Sequence, residues 1–131
     1  MYTDDMISVL IVEDDAFIRD ITTIKFTEHA YEVVASESSE SALQALDKQL
    51  FDVILLDLDL PGMSGYELLS FIKAHRNGTG AKIVVFSNND DDILKQKITE
   101  FGILGFFAKS STHYEELFAL IDDVHRESTL Q

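Results

Sequence analysis

Cysteine is absent from the 131 residues. That removes disulfides, thiolate zinc sites and cysteine nucleophiles together, and it fits a reducing compartment. Base is scarce: 10 lysines and arginines face 24 acids, for a formal net charge of −14. Such a surface repels a nucleic-acid backbone or an anionic membrane, so neither is expected as a direct partner. Its plain role is solubility, and it also invites metal cations or basic protein surfaces. No apolar run approaches the ~20 residues of a membrane-spanning helix. The opening stretch MYTDDM is acidic and lacks the basic start of a secretory signal, so a cytoplasmic location is expected. Internal repeats and low-complexity tracts are missing too. What remains is 46% hydrophobic and 26% charged, as in ordinary globular proteins. The length suits one domain over 1–131, with a core from about 7 to 125 and a polar end at 126–131.

Short apolar runs alternate with helical patterns. ISVLIV (Ile7–Val12) is continuous and β-branched, as a strand buried on both faces should be. YEVVAS (Tyr31–Ser36), DVILLD (Asp52–Asp57), KIVVFS (Lys82–Ser87) and ILGFFA (Ile103–Ala108) are four more, the first of these being the weakest and an edge candidate. Phe17, Ile18, Ile21, Ile24 and Lys25 mark a first helix, and Ala42, Leu43 and Leu46 a second. SGYE (Ser64–Glu67) has the capping-box pattern ahead of Leu68, Leu69, Phe71 and Ile72. NNDDD (Asn88–Asp92) places cap residues and acids at a helix start, and Gly102 stands where that helix should stop. THYE (Thr112–Glu115) is a further capping box before the stripe Leu117, Phe118, Leu120, Ile121 and Val124. Five β–α units require parallel strands with right-handed crossovers. The expected fold is therefore α/β: a doubly wound five-stranded sheet, whose functional site lies beyond the carboxyl ends of the strands.

Those ends carry chemistry. The first strand runs into Glu13, Asp14 and Asp15; the third ends at Asp57, with Asp59 two residues on; the fourth ends at Ser87; the fifth is followed by Lys109. Each has a plain structural role open to it. Asp15 and Ser87 could cap helices, and Lys109 could be a solvated surface lysine. Their joint position at strand exits favours a shared site. Two carboxylates ~4 Å apart repel by roughly 4 kcal/mol at an effective dielectric of about 20, so three packed together need a cation. An all-oxygen ligand set suits Mg²⁺ or Mn²⁺. A carboxylate beside such an ion can attack phosphorus, while a lysine and a hydroxyl hold the phosphoryl oxygens.

The pieces VLIVEDD, DVILLDLDLPGMSG, VVFS and GFFAKS, in this order, resemble the receiver domain of bacterial two-component response regulators, of the chemotaxis-regulator kind, from about Ser8 to Val124. The resemblance implies a flavodoxin-like strand order 2-1-3-4-5. By position it implies that Asp57 is the phosphoacceptor and that Asp14 and Asp15 are the acidic metal-binding pair. Asp59 then lends its backbone carbonyl to the metal, and Pro61, Gly62 and Gly65 form the following loop. Ser87 is the hydroxyl that moves toward the phosphoryl group, Lys109 the phosphate-binding lysine, and Phe106 the aromatic switch residue. The implied partners are a sensor histidine kinase or phosphotransfer protein as donor and a downstream effector. The implied output is a change in the surface of helix four, strand five and helix five, near Ile93–Lys97 and Phe106–His113, which could also form a homodimer. The domain would catalyse only its own phosphorylation and dephosphorylation.

Three departures stand out. The family usually has proline after the lysine, often with a cis bond; here it is Ser110, and a cis bond without proline costs about 2.5–4 kcal/mol. The family usually has a small residue after the switch hydroxyl; here Asn88 stands there, and its bulk is expected to narrow access to Asp57. Phe106 lacks a tyrosine's hydroxyl. Two alternatives remain open at this level. ILLDLDLPG also resembles the first motif of haloacid dehalogenase-like phosphatases, with Asp57 as nucleophile, Asp59 as acid/base and Asp122-Asp123 as a later acid pair. A degenerate receiver acting as a constitutive interaction module is the other. His29, His75, His113 and His125 are scattered and read as surface residues.

Overall fold

The apolar runs become strands because β-branched and large aliphatic residues fit a pleated surface covered on both faces. In a computed structural model that describes residues 6–129, they form β1 (Ser8–Val12), β2 (Glu32–Ser36), β3 (Val53–Leu56), β4 (Lys82–Phe86) and β5 (Gly105–Phe107). The opening stretch before Met6, and Leu130 and Gln131, lie outside the described residues. All pairings are parallel and the order is β2-β1-β3-β4-β5, as the resemblance implied. Central β3 is buried at every position, whereas β2 is an edge strand with exposed Glu32 and Ala35, which explains its weaker pattern.

The helices are α1 (Ala16–Glu28), α2 (Ser39–Lys48), α3 (Gly65–Ala74), α4 (Asp92–Thr99) and α5 (Tyr114–Thr129). Successive strand residues face opposite sides. Leu10, Val12, Ile54, Leu56, Ile83 and Val85 pack on Leu46 of α2, Leu68 and Ile72 of α3 and Ile98 of α4. Val9, Ile11, Val53, Leu55, Val84 and Phe86 pack on Phe26 of α1 and Leu117, Phe118 and Ile121 of α5. Phe26 is the hub of the second layer, edge-on to Tyr31, Tyr114 and Phe118. This corrects the expected stripe on α1. Thr22 and Phe26 are its buried residues, one turn apart, while Phe17 and Ile24 are exposed at 72% and 55%.

Local signals set most helix starts. Ser64 and Glu67 form the expected reciprocal capping box on α3. Asp91 caps α4, accepting from the N–H groups of Ile93 and Leu94. The expected box on α5 is not formed, and a single side-chain bond stands in its place one residue further on. Thr112 still belongs to the preceding turn, its N–H donating to the Ala108 carbonyl, and the Glu116 carboxylate accepts from the His113 N–H at 2.8 Å. Two of the histidines do more than sit at the surface: His29 pairs with Asp122 and His75 with Asp47, each at 2.8 Å.

Candidate functional site

Register assembles the site. Val12 is level with Leu56 and Leu56 with Val85, so Glu13, Asp57 and the end of β4 leave the sheet along one edge. The hydrogen-bond ladder runs on past the strands. The Asp57 N–H donates to the Val12 carbonyl at 3.1 Å, the Glu13 N–H to Ser36 at 2.9 Å and the Ser87 N–H to Phe107 at 2.9 Å. Their backbones are therefore as fixed as the sheet itself. Behind Asp57, Gly65 lets α3 press on the loop, since a Cβ there would lie 2.7 Å from the Leu58 Cα. Gly62 supplies a turn at φ +83°, which an L side chain rarely adopts.

Asp57 and Glu13 are both only 4% exposed. The Lys109 ammonium lies between them, 2.7 Å from Asp57 Oδ2 and 2.5 Å from Glu13 Oε1. The Asp59 N–H donates to Asp57 Oδ1 at 3.1 Å. Burial alone would raise the Asp57 pKa; the Lys109 hydrogen bond and charge, the Asp59 N–H and the Ser87 hydroxyl outweigh it and hold the carboxyl below its ordinary value. Burial wins at Glu13, whose pKa is raised despite Lys109 and the Asp15 N–H. Burial would lower Lys109, but Asp57 and Glu13 together raise it. The result is an ionised Asp57 carboxylate and a protonated lysine at neutral pH.

The acids that converge are Glu13, Asp14 and Asp57, which can each bring one oxygen within 4.8 Å of the others. This corrects the pairing of Asp14 with Asp15. Glu13 is the first residue beyond β1, as Asp57 is the first beyond β3; by Asp15 the chain has already turned into α1. The Asp15 carboxylate caps that helix, accepting from the Ile18 N–H at 3.0 Å, so its plain structural role is the one observed. The signal for Glu13 is its place directly after the apolar run, but where β1 stops is fixed only by its pairing with β3. Arg19 also escaped the sequence reading. Its guanidinium donates to the backbone carbonyls of Glu13 (3.0 Å) and Asp14 (3.3 Å), holding the acidic turn from below. An all-carboxylate set of mixed burial with a lysine behind it fits a hard divalent cation.

The remaining candidates surround this centre. Ser87 is buried and its Oγ accepts from the Asn89 N–H at 3.2 Å. Asp59 is exposed, and its carboxylate accepts from the Asn89 side chain at 2.8 Å. Asn88 is exposed and its Oδ1 accepts from the Ser110 N–H at 2.9 Å. There is no cis peptide among the described residues, so Lys109 reaches Asp57 through a trans Lys109-Ser110 bond. Phe106 is half-buried against the core, with the Lys95 ammonium 5.8 Å from its ring centroid. A cleft of about 200 Å³ lies between Ser87, Lys95 and Phe106. Asp122 and Asp123 are elsewhere. Asp122 on α5 accepts from Tyr31 at 2.7 Å and pairs with His29, and Asp123 pairs with Arg126 at 3.1 Å. Of the acid pair that the phosphatase alternative needs, Asp122 thus ties α5 to the turn between α1 and β2, and Asp123 is paired within α5 itself.

Fold and site together define a flavodoxin-like α/β domain with an acidic, lysine-backed edge beyond the carboxyl ends of its strands. The family model of the response regulator receiver domain matches residues 9–122, and the chain belongs to that family. It is 30% identical over 124 residues to the transcriptional regulatory protein MalR of Bacillus subtilis, covering 93% of this chain and 52% of that protein. It superposes on a CheY-like receiver domain protein from Methanospirillum hungatei with a TM-score of 0.86 at 24% identity, covering 94% of this chain and 96% of the other. It superposes on the chemotaxis response regulator CheY4 of Vibrio cholerae with a TM-score of 0.77 at 26% identity, covering 92% and 98%. The chain spans about half the length, or less, of the curated relatives it matches. No helix of the described residues is long and apolar enough to cross a membrane.

Proposed function

We propose that this receiver domain accepts a phosphoryl group on Asp57 from the phosphohistidine of a sensor histidine kinase or phosphotransfer protein. A carboxylate oxygen of Asp57 forms a bond to phosphorus as the bond from phosphorus to the histidine nitrogen breaks. The histidine keeps the electron pair, and the product is an acyl phosphate. The observation that carries this reading is the ionised Asp57 carboxylate held by Lys109 beside Glu13 and Asp14. Glu13, Asp14, Asp57 and the backbone carbonyl of Asp59 would hold Mg²⁺ or Mn²⁺, which when bound supplies the positive charge that offsets the incoming phosphoryl oxygens. Asp15 has no part in that set. Lys109 would exchange its bond to Glu13 for one to a phosphoryl oxygen, and the Ser87 hydroxyl would donate to another.

That shift of Ser87 would let Phe106 repack toward the neighbouring cleft and so change the face formed by α4, β5 and α5. Exposed Ile93 on α4 belongs to this face. An effector, or a second copy of the chain, is its partner in this reading. The domain acts as a single receiver unit over 1–131 in the cytoplasm, catalyses only its own phosphoryl uptake and loss, and does not bind nucleic acid itself. The intact set of Asp57, Lys109, Ser87 and the acidic pair favours this over a constitutive interaction module. Intact mass after incubation with acetyl phosphate and Mg²⁺ tests it. One added phosphoryl group is expected in the wild type and none in Asp57→Asn; equal gain in both would end the assignment.

A further inference from the structure

Among the described residues, two side chains bond the Asp57 carboxylate from outside its own loop: Lys109 after β5, and Ser87 after β4. Each is followed by a residue that reaches for the other's loop. Ser87 precedes Asn88, Lys109 precedes Ser110, and the Ser110 N–H donates to Asn88 Oδ1 at 2.9 Å. The bond spans 22 residues of sequence and joins the two chain segments one residue from each Asp57 partner. A proline at position 110 would have no N–H to give, and an alanine at 88 no oxygen to receive it. Asn88 and Ser110 are therefore two halves of one feature.

We propose that the Asn88–Ser110 hydrogen bond is a clasp across the mouth of the acceptor site that sets the span between Ser87 and Lys109, making Asn88 a positioning residue for phosphoryl transfer to Asp57. The proposal rests on the phosphoacceptor reading above. With the clasp closed, the two loops that carry the hydroxyl and the ammonium are tied to each other beside the Asp57 carboxylate that both groups bond. Such placement acts on the rate at saturating donor, because it improves the transition state without adding a binding contact. The loop of Asn88 is itself anchored on its far side, since the Asn89 side chain donates to Asp59 at 2.8 Å and the Asn89 N–H to Ser87 Oγ at 3.2 Å. The clasp thus joins Ser110 to a loop already tied to Asp59.

The clasp and simple crowding by Asn88 predict opposite results. Crowding makes Asn88→Ala faster, leaves Asn88→Leu close to wild type and is indifferent to the amide at 110. The clasp makes Asn88→Ala and Asn88→Leu slower alike, by about three- to tenfold for one hydrogen bond lost. It gives Ser110→Pro the same loss and makes the double variant Asn88→Leu/Ser110→Pro no slower than either single. Ser110→Ala keeps the N–H and should keep the wild-type rate. The measurement is the rate of phosphoryl uptake against acetyl phosphate concentration with saturating Mg²⁺. The loss should fall on the maximal rate with the half-saturating concentration unchanged, a split that general loosening of the fold would not produce. Circular dichroism and urea midpoints confirm that each variant is folded; if Ser110→Pro is not, the Asn88→Leu and Asn88→Ala pair decides. Additive losses, a faster Asn88→Ala or an unchanged Asn88→Leu would overturn the clasp while leaving Asp57 as acceptor. A wild type that takes up no phosphoryl group from any donor, including phosphorylated kinase, would remove the underlying reading and the clasp with it.

Discussion

Two aspartates bracket β3, Asp52 before it and Asp57 after it, and they have opposite fates. Asp52 is exposed and satisfied locally, accepting from the Ser8 N–H at 2.9 Å and the Ser8 hydroxyl at 3.2 Å. Asp57 is buried and gathers Lys109, the Asp59 N–H, Glu13 and Asp14. Cavity size does not separate the two ends. A cleft of about 190 Å³ lined by Asp52, Lys82 and His125 lies at one end, against about 200 Å³ at the other. What separates them is chain direction. All five strands point the same way, so the loops that leave them bring Glu13, Asp14, Asp57, Ser87 and Lys109 to the same edge.

The largest expected effect is on phosphoryl uptake: abolished by Asp57→Asn and unchanged by Asp52→Asn in the same mass experiment. Loss in both would break the contrast between the ends. Next comes stability. Lys109→Met leaves two buried carboxylates without their cation and should cost about 3–5 kcal/mol in urea unfolding without metal. The exposed Lys82→Met should stay within about 0.5 kcal/mol. Metal linkage is smaller. Mg²⁺ at about 100 times its Kd should add about 2.7 kcal/mol to the wild type. Glu13→Gln and Asp14→Asn should lose most of that gain, whereas Asp15→Asn and Asp52→Asn should keep it. A lost gain in Asp15→Asn would restore the pairing that the geometry rejects.

The smallest effect is in the pH dependence of the metal-free protein, and its signs differ by residue. Asp57, lowered from 3.8, contributes stability above that value, lost as pH falls through its native pKa. Lys109, raised from 10.5, contributes stability below that value, lost as pH rises through its native pKa. Glu13, raised from 4.5, favours the fold below that value, and this is lost as pH rises through its native pKa. Urea midpoints of Glu13→Gln should therefore gain on wild type as pH climbs from about 4.5 toward neutrality. A constant difference between the two would show that burial does not dominate at Glu13.

Much of this is legible in the sequence. Continuous apolar runs between amphipathic stretches imply parallel strands with helices on both faces, and Ser64, Glu67 and Asp91 act where their types predicted. The misses share one cause. The face that α1 buries depends on Phe26 meeting Tyr31, Tyr114 and Phe118, contacts from distant sequence that the spacing of Phe17 and Ile24 cannot reveal. Likewise, the choice between Glu13 and Asp15 depends on where β1 stops against β3.

The sequence by itself determined the five β–α units, their parallel sense and the edge where Asp57, Ser87 and Lys109 would meet, because hydrophobic period and helix caps are local properties. Only the tertiary structure decided that Glu13 rather than Asp15 joins Asp14 and Asp57, and that Asn88 closes on Ser110. Those outcomes follow from strand register and loop-to-loop distance, which arise only when residues far apart in sequence are packed side by side.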